Sequence, residues 1–424
     1  MKAQPASFWF LNIYVFFEYV RPQQIYTAMG TLPYAQTSLL LAIGTLLAEG
    51  RAMKRFVATD YALMLFTGII LVSSVAAVRP SESLDSMQLF INWLLLYYLV
   101  VNIVFTEKRY LVFLLAFFLY SFKMSQHGAR GWIERGFSFA SWGAAGAPGW
   151  FQNSGEFAIQ MAIFVPLATY FVLTFRSRWG WKTRLLFVLM PITAVMSIVA
   201  SSSRGGLIAL GGVVTWMVMQ SRHKVRGAIV AAVVGMLVLV ALPQEFRDRF
   251  DTIGDDETSL TRKEYWAFGK QIMAERPVLG IGYGNWLSYW KQQHGYEALP
   301  HNIYIQAGAE LGYVGIGGFI GLILATLWVN HKTRRAVRAL GKDGQFFAGT
   351  AFGLDAAMVG FLIAGTFVTV LYYPFFWMNL AMTTALHHSA LHSVKLARRS
   401  AVAPPTPSAL QVSSRPLPLS GARP

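Results

Sequence analysis

The sequence predicts an all-α, polytopic membrane protein of about twelve transmembrane helices, with a large extracytoplasmic loop carrying short helices. Three observations predict it. Of the 424 residues, 55% are hydrophobic and 13% charged, about half the charged share of ordinary soluble domains. Apolar windows recur along most of the chain, each long enough to cross a hydrocarbon core about 30 Å thick. Every second connection between those windows is basic, which is what positive-inside orientation requires.

The spans fall at roughly 7–20, 33–48, 60–78, 88–105, 110–124, 156–175, 184–201, 205–220, 227–243, 308–330, 347–371 and 374–391. The first run, Phe8 to Val20, lacks a small-residue cleavage site and reads as a span, not a signal peptide. With the N-terminus inside, the cytoplasmic connections hold Lys2; Arg51, Lys54 and Arg55; Lys108 and Arg109; four cations between Arg176 and Arg184; three between Arg222 and Arg226; five between Lys332 and Lys342; and the C-terminal set from Lys395 onward. That is well over half of the 36 lysines and arginines, beside only Glu49, Asp60, Glu107 and Asp343. Both termini are then cytoplasmic. The net charge of +16 is chiefly a topology signal, with attraction to anionic membrane lipids as a by-product, and it does not imply nucleic acid.

Two connections on the opposite side are long. Residues 125–155 are rich in Gly, Ala, Trp and Ser, while 244–300 mix charge with aromatics. Residues 1–402 form one transmembrane domain that includes the 244–300 loop. The Pro/Ser-rich segment 403–424 lacks aromatics and reads as a disordered cytoplasmic tail. Cysteine is absent, which excludes disulfides, cysteine-zinc sites, iron–sulfur clusters and cysteine nucleophiles.

Chemistry concentrates on the extracytoplasmic side. In Pro300-His301-Asn302 an imidazole stands where the large loop re-enters the membrane, and the pattern His301-Asn302-x9-Gly312-x-x-Gly315 follows. Asn302 can cap the next helix, and Gly308, Gly312 and Gly315 keep one helix face thin. An imidazole with an ordinary pKa of about 6.5 can take a proton from a hydroxyl near neutral pH. A lone histidine is more often a satisfied core residue; the placement at the head of a Gly-punctuated helix favours a base.

Arg204 lies in Ser201-Ser202-Ser203-Arg204-Gly205-Gly206, between two spans with almost no connection. A snorkelling arginine is the bland reading. A guanidinium fork matches phosphate oxygens, and Gly205 and Gly206 would let the backbone approach a ligand. Arg262, in Ser259-Leu260-Thr261-Arg262, opens an amphipathic helix in the loop that delivers His301; charge runs of this kind are usually solvated faces. Glu156, at the mouth of a span after Asn153-Ser154-Gly155, is a candidate substrate contact or partner for an arginine. Gly280-Ile281-Gly282-Tyr283-Gly284 is not a nucleotide loop, since no βαβ pattern surrounds it, and reads as a turn. Asp255-Asp256-Glu257 reads as an exposed acidic turn, with a divalent metal as the sharper alternative.

Taken together, these residues resemble the O-antigen ligase/polymerase superfamily of bacterial envelopes. His301, Asn302, Gly312 and Gly315 satisfy its pattern of a histidine, a small polar residue, nine residues, Gly, two residues and Gly. Ser203-Arg204-Gly205 is similar to its short extracytoplasmic arginine loop, and Arg262 with Pro277 to Gly284 is similar to the arginine and Pro-x-x-Gly-x-Gly segment of its large loop. The resemblance implies a glycosyltransferase of the bacterial inner membrane with a periplasmic active site, needing no cofactor and no metal. The donor would be a glycan on undecaprenyl diphosphate, held by Arg204 and Arg262, with Asn302 and Glu156 as further substrate contacts. His301 would deprotonate or orient an acceptor hydroxyl, first among acceptors that of lipid A-core, with inversion at the anomeric carbon.

Relatives in that superfamily instead extend the glycan or glycosylate Ser/Thr of exported proteins, and one sequence does not separate the three. A transporter of the lipid-linked glycan, with the arginines as grips, is the reading from another class. The lack of corresponding Gly/Pro-interrupted spans in two halves argues against it. A metal-dependent oligosaccharyltransferase using Asp255 and Asp256 is a third.

Overall fold

The computed structural model describes residues 4–30, 32–50, 55–138, 143–221, 223–241 and 257–402. The expected tail 403–424 and Asp255 and Asp256 of the acidic turn lie outside them. Among the described residues the architecture is all-helical. The helices are α1 Ala6–Tyr19, α2 Pro22–Ile25, α3 Tyr34–Ala48, α4 Ala58–Val75, α5 Pro80–Ile103, α6 Glu107–Glu134, α7 Ser154–Phe175 and α8 Trp181–Ala200. They continue with α9 Arg204–Gln220, α10 Lys224–Ala241, α11 Glu257–Glu275, α12 Trp286–His294, α13 Ile303–Ala336, α14 Gln345–Ala364 and α15 Pro374–Val402.

Over the described residues, each expected span overlaps one of these helices. Among the described residues, five helical stretches can cross a membrane by length and composition: Ala58–Val75, Pro80–Ile103, Ser154–Arg178, Trp181–Ala200 and the run Ile303–Ala364 that joins α13 to α14. Several starts are fixed by side-chain caps that satisfy otherwise orphaned N–H groups. Thr106 accepts from Arg109 N, Asn153 from Gly155 N, Ser203 from Gly206 N, and Asn302 from both Tyr304 N and Ile305 N.

Boundaries differ from expectation in several places: α5 begins at Pro80 and not 88, α13 spans Ile303–Ala336 and not 308–330, and α15 runs on to Val402. Two further differences bear on the site. Residues 125–134, assigned to a loop, extend α6 to Glu134, because Ser125, Gly128, Ala129 and Trp132 are buried in the bundle. The span expected to reach residue 371 stops at Ala364, and Gly365–Tyr373 forms a non-helical connection before Pro374 starts α15. Pro374 accounts for where the next helix starts: it disfavours helix at Tyr373 and suits the first turn of a new one.

The helix α7 is the most enclosed, packed by α8, α9 and α14, while α13 packs on α4, α15 and α11. Successive connections alternate between two ends of the bundle. At one end Thr59 meets Thr384 at 2.6 Å, Ser393 donates to Glu107, and Arg334 pairs with Asp355. At the other, Val78 N donates to Ile281 O at 2.9 Å, Ala144 N to Ala200 O at 2.8 Å, and His301 N to Thr369 Oγ1 at 2.8 Å. Arg55, Arg178 and Lys342 belong to the first end, beside Asp60, Glu107 and Ser393, and His301 belongs to the second. A small separate core of Tyr265, Ile272, Ile281, Trp286, Trp290 and Ala309 fastens α11 and α12 onto the start of α13.

Candidate active site

The histidine is positioned by a break in the helix that follows it. Gly312 sits inside α13 with φ 67° and ψ −170°, a conformation open essentially to glycine alone. A helix interrupted there loses the donors for its preceding carbonyls, and those carbonyls need partners when buried. The Gly-rich segment supplies them: Ile281 N donates to Ala309 O and Gly282 N to Glu310 O, both at 2.9 Å, and Ser73 Oγ donates to Glu310 O at 3.1 Å. Tyr313 N, freed on the other side of the break, donates to Pro277 O at 2.8 Å. The Pro277–Gly284 stretch is therefore a turn, as expected, and also a clamp on the kink. Gly312 does not thin a helix face, as the sequence suggested. Gly308 does: a Cβ there would lie 2.6 Å from Met273 Sδ of α11.

Glu310, which sequence reasoning passed over, ties this clamp together. Its buried carboxylate accepts from Tyr372 Oη at 2.9 Å and Trp286 N at 3.3 Å, with Gly284 N and Gln306 as further donors. A lone acid in an otherwise apolar helical run was the available signal.

His301 adopts φ 49°, left-handed backbone for a non-glycine residue. Strain of that kind persists only where surroundings over-determine it, and here they do. His301 N donates to Thr369 Oγ1, Ile303 N donates to Gly365 O at 2.8 Å, and Trp266 Nε1 of α11 donates to Pro300 O at 3.0 Å. The imidazole lies beside the Tyr265 ring, centroids 6.3 Å apart. Arg262, one turn earlier in α11, acts on it electrostatically. Burial first, and the Arg262 guanidinium second, lower the imidazole to about 4. His301 is thus neutral at pH 7, with a free lone pair, and a weaker base than its ordinary pKa suggests.

Arg204 and Glu156 reach the same region through the Gly365–Tyr373 connection. A Cβ on Gly205 would lie 3.0 Å from Phe367 Cβ, and one on Gly155 3.2 Å from Val368 Cγ2. Thr369, which holds His301 N, is two residues beyond Phe367, a stretch of chain no longer than about 7 Å. The Tyr373 hydroxyl donates to the buried Glu156 carboxylate. Burial and that carboxylate push the Tyr373 hydroxyl up from the ordinary tyrosine value, so it remains a donor. Gly205 and Gly206 do not open the backbone to a ligand: Gly205 packs on Phe367, and Gly206 would place a Cβ 2.5 Å from Ala158 Cβ. Their smallness lets α9 approach the connection and α7, with Arg204, half-buried, at the head of α9. Asn302 spends its Oδ1 on the cap of α13.

One connection, Gly365–Tyr373, therefore joins the heads of α7, α9 and α13. In sequence its first part, to residue 371, reads as the end of a span and Tyr372-Tyr373 as a bare link, so nothing there marks Thr369, Tyr372 and Tyr373. The geometry offers a neutral imidazole beside one guanidinium, with a second guanidinium and a hydrogen-bonded carboxylate carried by adjoining helix ends. Such a site can receive an anion and a proton from a neutral hydroxyl.

Residues 189–320 match the O-antigen ligase family model. The matched stretch includes Arg204, Arg262, His301, Asn302 and Gly312. No curated protein matches the chain.

Proposed function

We propose that this chain, which belongs to the O-antigen ligase superfamily, transfers a glycan from a polyprenyl diphosphate to an acceptor hydroxyl, at the periplasmic face of a bacterial inner membrane that it crosses about twelve times. The preferred donor is the undecaprenyl diphosphate-linked O-antigen and the preferred acceptor lipid A-core. Support comes above all from one juxtaposition: Arg262 acts electrostatically on a half-buried imidazole whose strained backbone is held in place by Thr369, Gly365 and Trp266. A diphosphate and a nucleophile need those two functions side by side.

In this mechanism the acceptor oxygen forms a bond to the anomeric carbon as the bond from that carbon to the diphosphate oxygen breaks. The acceptor proton passes to His301, and the electron pair leaves with the diphosphate. Arg262 and Arg204 stabilise the growing charge, a contribution of about 3–4 kcal/mol for each well-placed donor. Attack opposite the leaving group inverts the anomeric centre. Binding the anionic diphosphate also offsets the field of Arg262, which strengthens His301 as a base once the donor has arrived. Glu156 and Asn302 complete the substrate contacts, and no metal takes part.

The test is reconstitution with lipid-linked O-antigen and lipid A-core, with and without EDTA, followed by lipopolysaccharide gel analysis. A ladder that forms equally in EDTA and disappears with His301→Ala is expected. Loss of activity in EDTA would favour the metal-dependent alternative. A deletion strain that keeps a normal lipopolysaccharide ladder would remove the ligase reading, and single-repeat products would point to a polymerase.

A further inference from the structure

The helices α4 and α5 leave a valley between them at the end of the bundle remote from His301. Leu63, Met64, Gly68 and Leu71 line one wall, on a single face of α4, and an aromatic and aliphatic face of α5 that includes Tyr97 lines the other; the groove encloses about 450 Å³. From Leu63 to Leu71 it runs about 12 Å at 1.5 Å per residue. Its lining is apolar through most of that length. Thr67 turns its hydroxyl back onto Leu63 O at 2.8 Å. Nothing lies within 4 Å of the position a Cβ on Gly68 would take, so this glycine is not required by packing and keeps the floor open.

The groove has one polar end, at the start of α4. There Asp60 is already engaged: its carboxylate accepts from Val57 N at 2.6 Å and from Tyr97 Oη at 2.7 Å. Arg55 lines the same end, exposed, and among the described residues no carboxylate pairs with it. Arg51 and Lys54 precede it in sequence, which makes three cations in five residues. An apolar slot that ends at a cation on a basic connection complements an acyl chain joined to an anionic headgroup. The opposite end of α4 leads to Val78, which bonds Ile281 of the clamp; the headgroup end is thus separated from the clamp by about 27 Å, the length of α4.

We propose that the α4–α5 groove binds one anionic phospholipid, its acyl chain over Gly68 and its phosphate at Arg55. The lipid is a resident ligand, distinct from donor and acceptor. It fits the end of the bundle where anionic lipids attract basic connections.

Native mass spectrometry of the full-length protein, released from detergent with added phosphatidylglycerol or phosphatidylcholine, tests this. The wild type should hold one phosphatidylglycerol adduct in preference to phosphatidylcholine. Arg55→Gln should lower that preference about fivefold, as expected for loss of one cation near the headgroup. Gly68→Phe should remove both adducts, while Gly68→Ala, too small to fill the groove, should keep them; a thermal melt on each variant verifies folding. Retention of the adduct by a folded Gly68→Phe variant, or an unchanged preference in Arg55→Gln, would overturn the proposal. So would an adduct with the mass of a polyprenyl phosphate in place of a phospholipid, which would make the groove a path for the donor tail.

Discussion

Replacing Gly312 with alanine tests the clamp that positions the histidine. An alanine would hold φ 67° and ψ −170° at a cost of about 1–3 kcal/mol. Its Cβ would also lie 2.3 Å from Val278 O and 2.7 Å from Leu279 N. Those atoms are backbone and cannot swing aside, so the Pro277–Gly284 stretch must move. Its bonds from Ile281 N and Gly282 N to the kink carbonyls then weaken, at about 1 kcal/mol each. The sum is about 3–5 kcal/mol. Displacement of that stretch carries α11 with it, and hence Arg262 relative to His301. Gly317 in the same helix is the control: nothing lies within 4 Å of its Cβ position, and Gly317→Ala should be neutral or stabilise by up to about 1 kcal/mol. Thermal melts in detergent, followed by tryptophan fluorescence, and transfer assays on both variants provide the comparison. If Gly312→Ala melted with Gly317→Ala and transferred glycan at the wild-type rate, the account of the kink would be wrong.

The His301 imidazole is lowered to about 4 in the folded chain from 6.5, so the unfolded chain binds more protons between those values. Stability at this site is therefore full above about pH 6.5 and declines as pH falls toward 4; His301→Gln should flatten that part of a melting-temperature profile. The acid limb of kcat/KM should lie well below pH 6.5 and move upward in Arg262→Gln, since removal of a nearby positive charge favours the imidazolium. A limb at 6.5 in both proteins would contradict the coupling. Tyr373→Phe leaves the buried Glu156 carboxylate without its hydroxyl donor and should destabilise by about 1–3 kcal/mol, measured by chemical denaturation; Tyr98→Phe serves as a control far from this pair. Glu310→Ala strands the Tyr372 hydroxyl and Trp286 N, and should cost more than Glu310→Gln, which retains an acceptor. Equal melting temperatures for these two variants would show that the carboxylate is not the tie between the clamp and the Gly365–Tyr373 connection.

Much of the architecture was legible in the chain itself, because its dominant force is written residue by residue. Apolar windows and capping residues such as Asn153, Ser203 and Asn302 locate helices locally, with no knowledge of their neighbours. The candidates Arg204, Arg262 and His301 were legible for a related reason: a titratable or cationic side chain beside the membrane is costly and stands out against an apolar background. What glycines do was not legible. Gly205, Gly308 and Gly312 look alike in sequence, yet one admits Phe367, one admits Met273 and one breaks a helix, because each role depends on the atom that occupies the missing Cβ position. The sequence likewise determined that Gly365–Tyr373 is apolar and aromatic, which reads as membrane span. Only the tertiary structure decided that this stretch unwinds and gathers the heads of α7, α9 and α13, since Gly365 O and the hydroxyls of Thr369, Tyr372 and Tyr373 find partners across 62 or more residues, which no local pattern encodes.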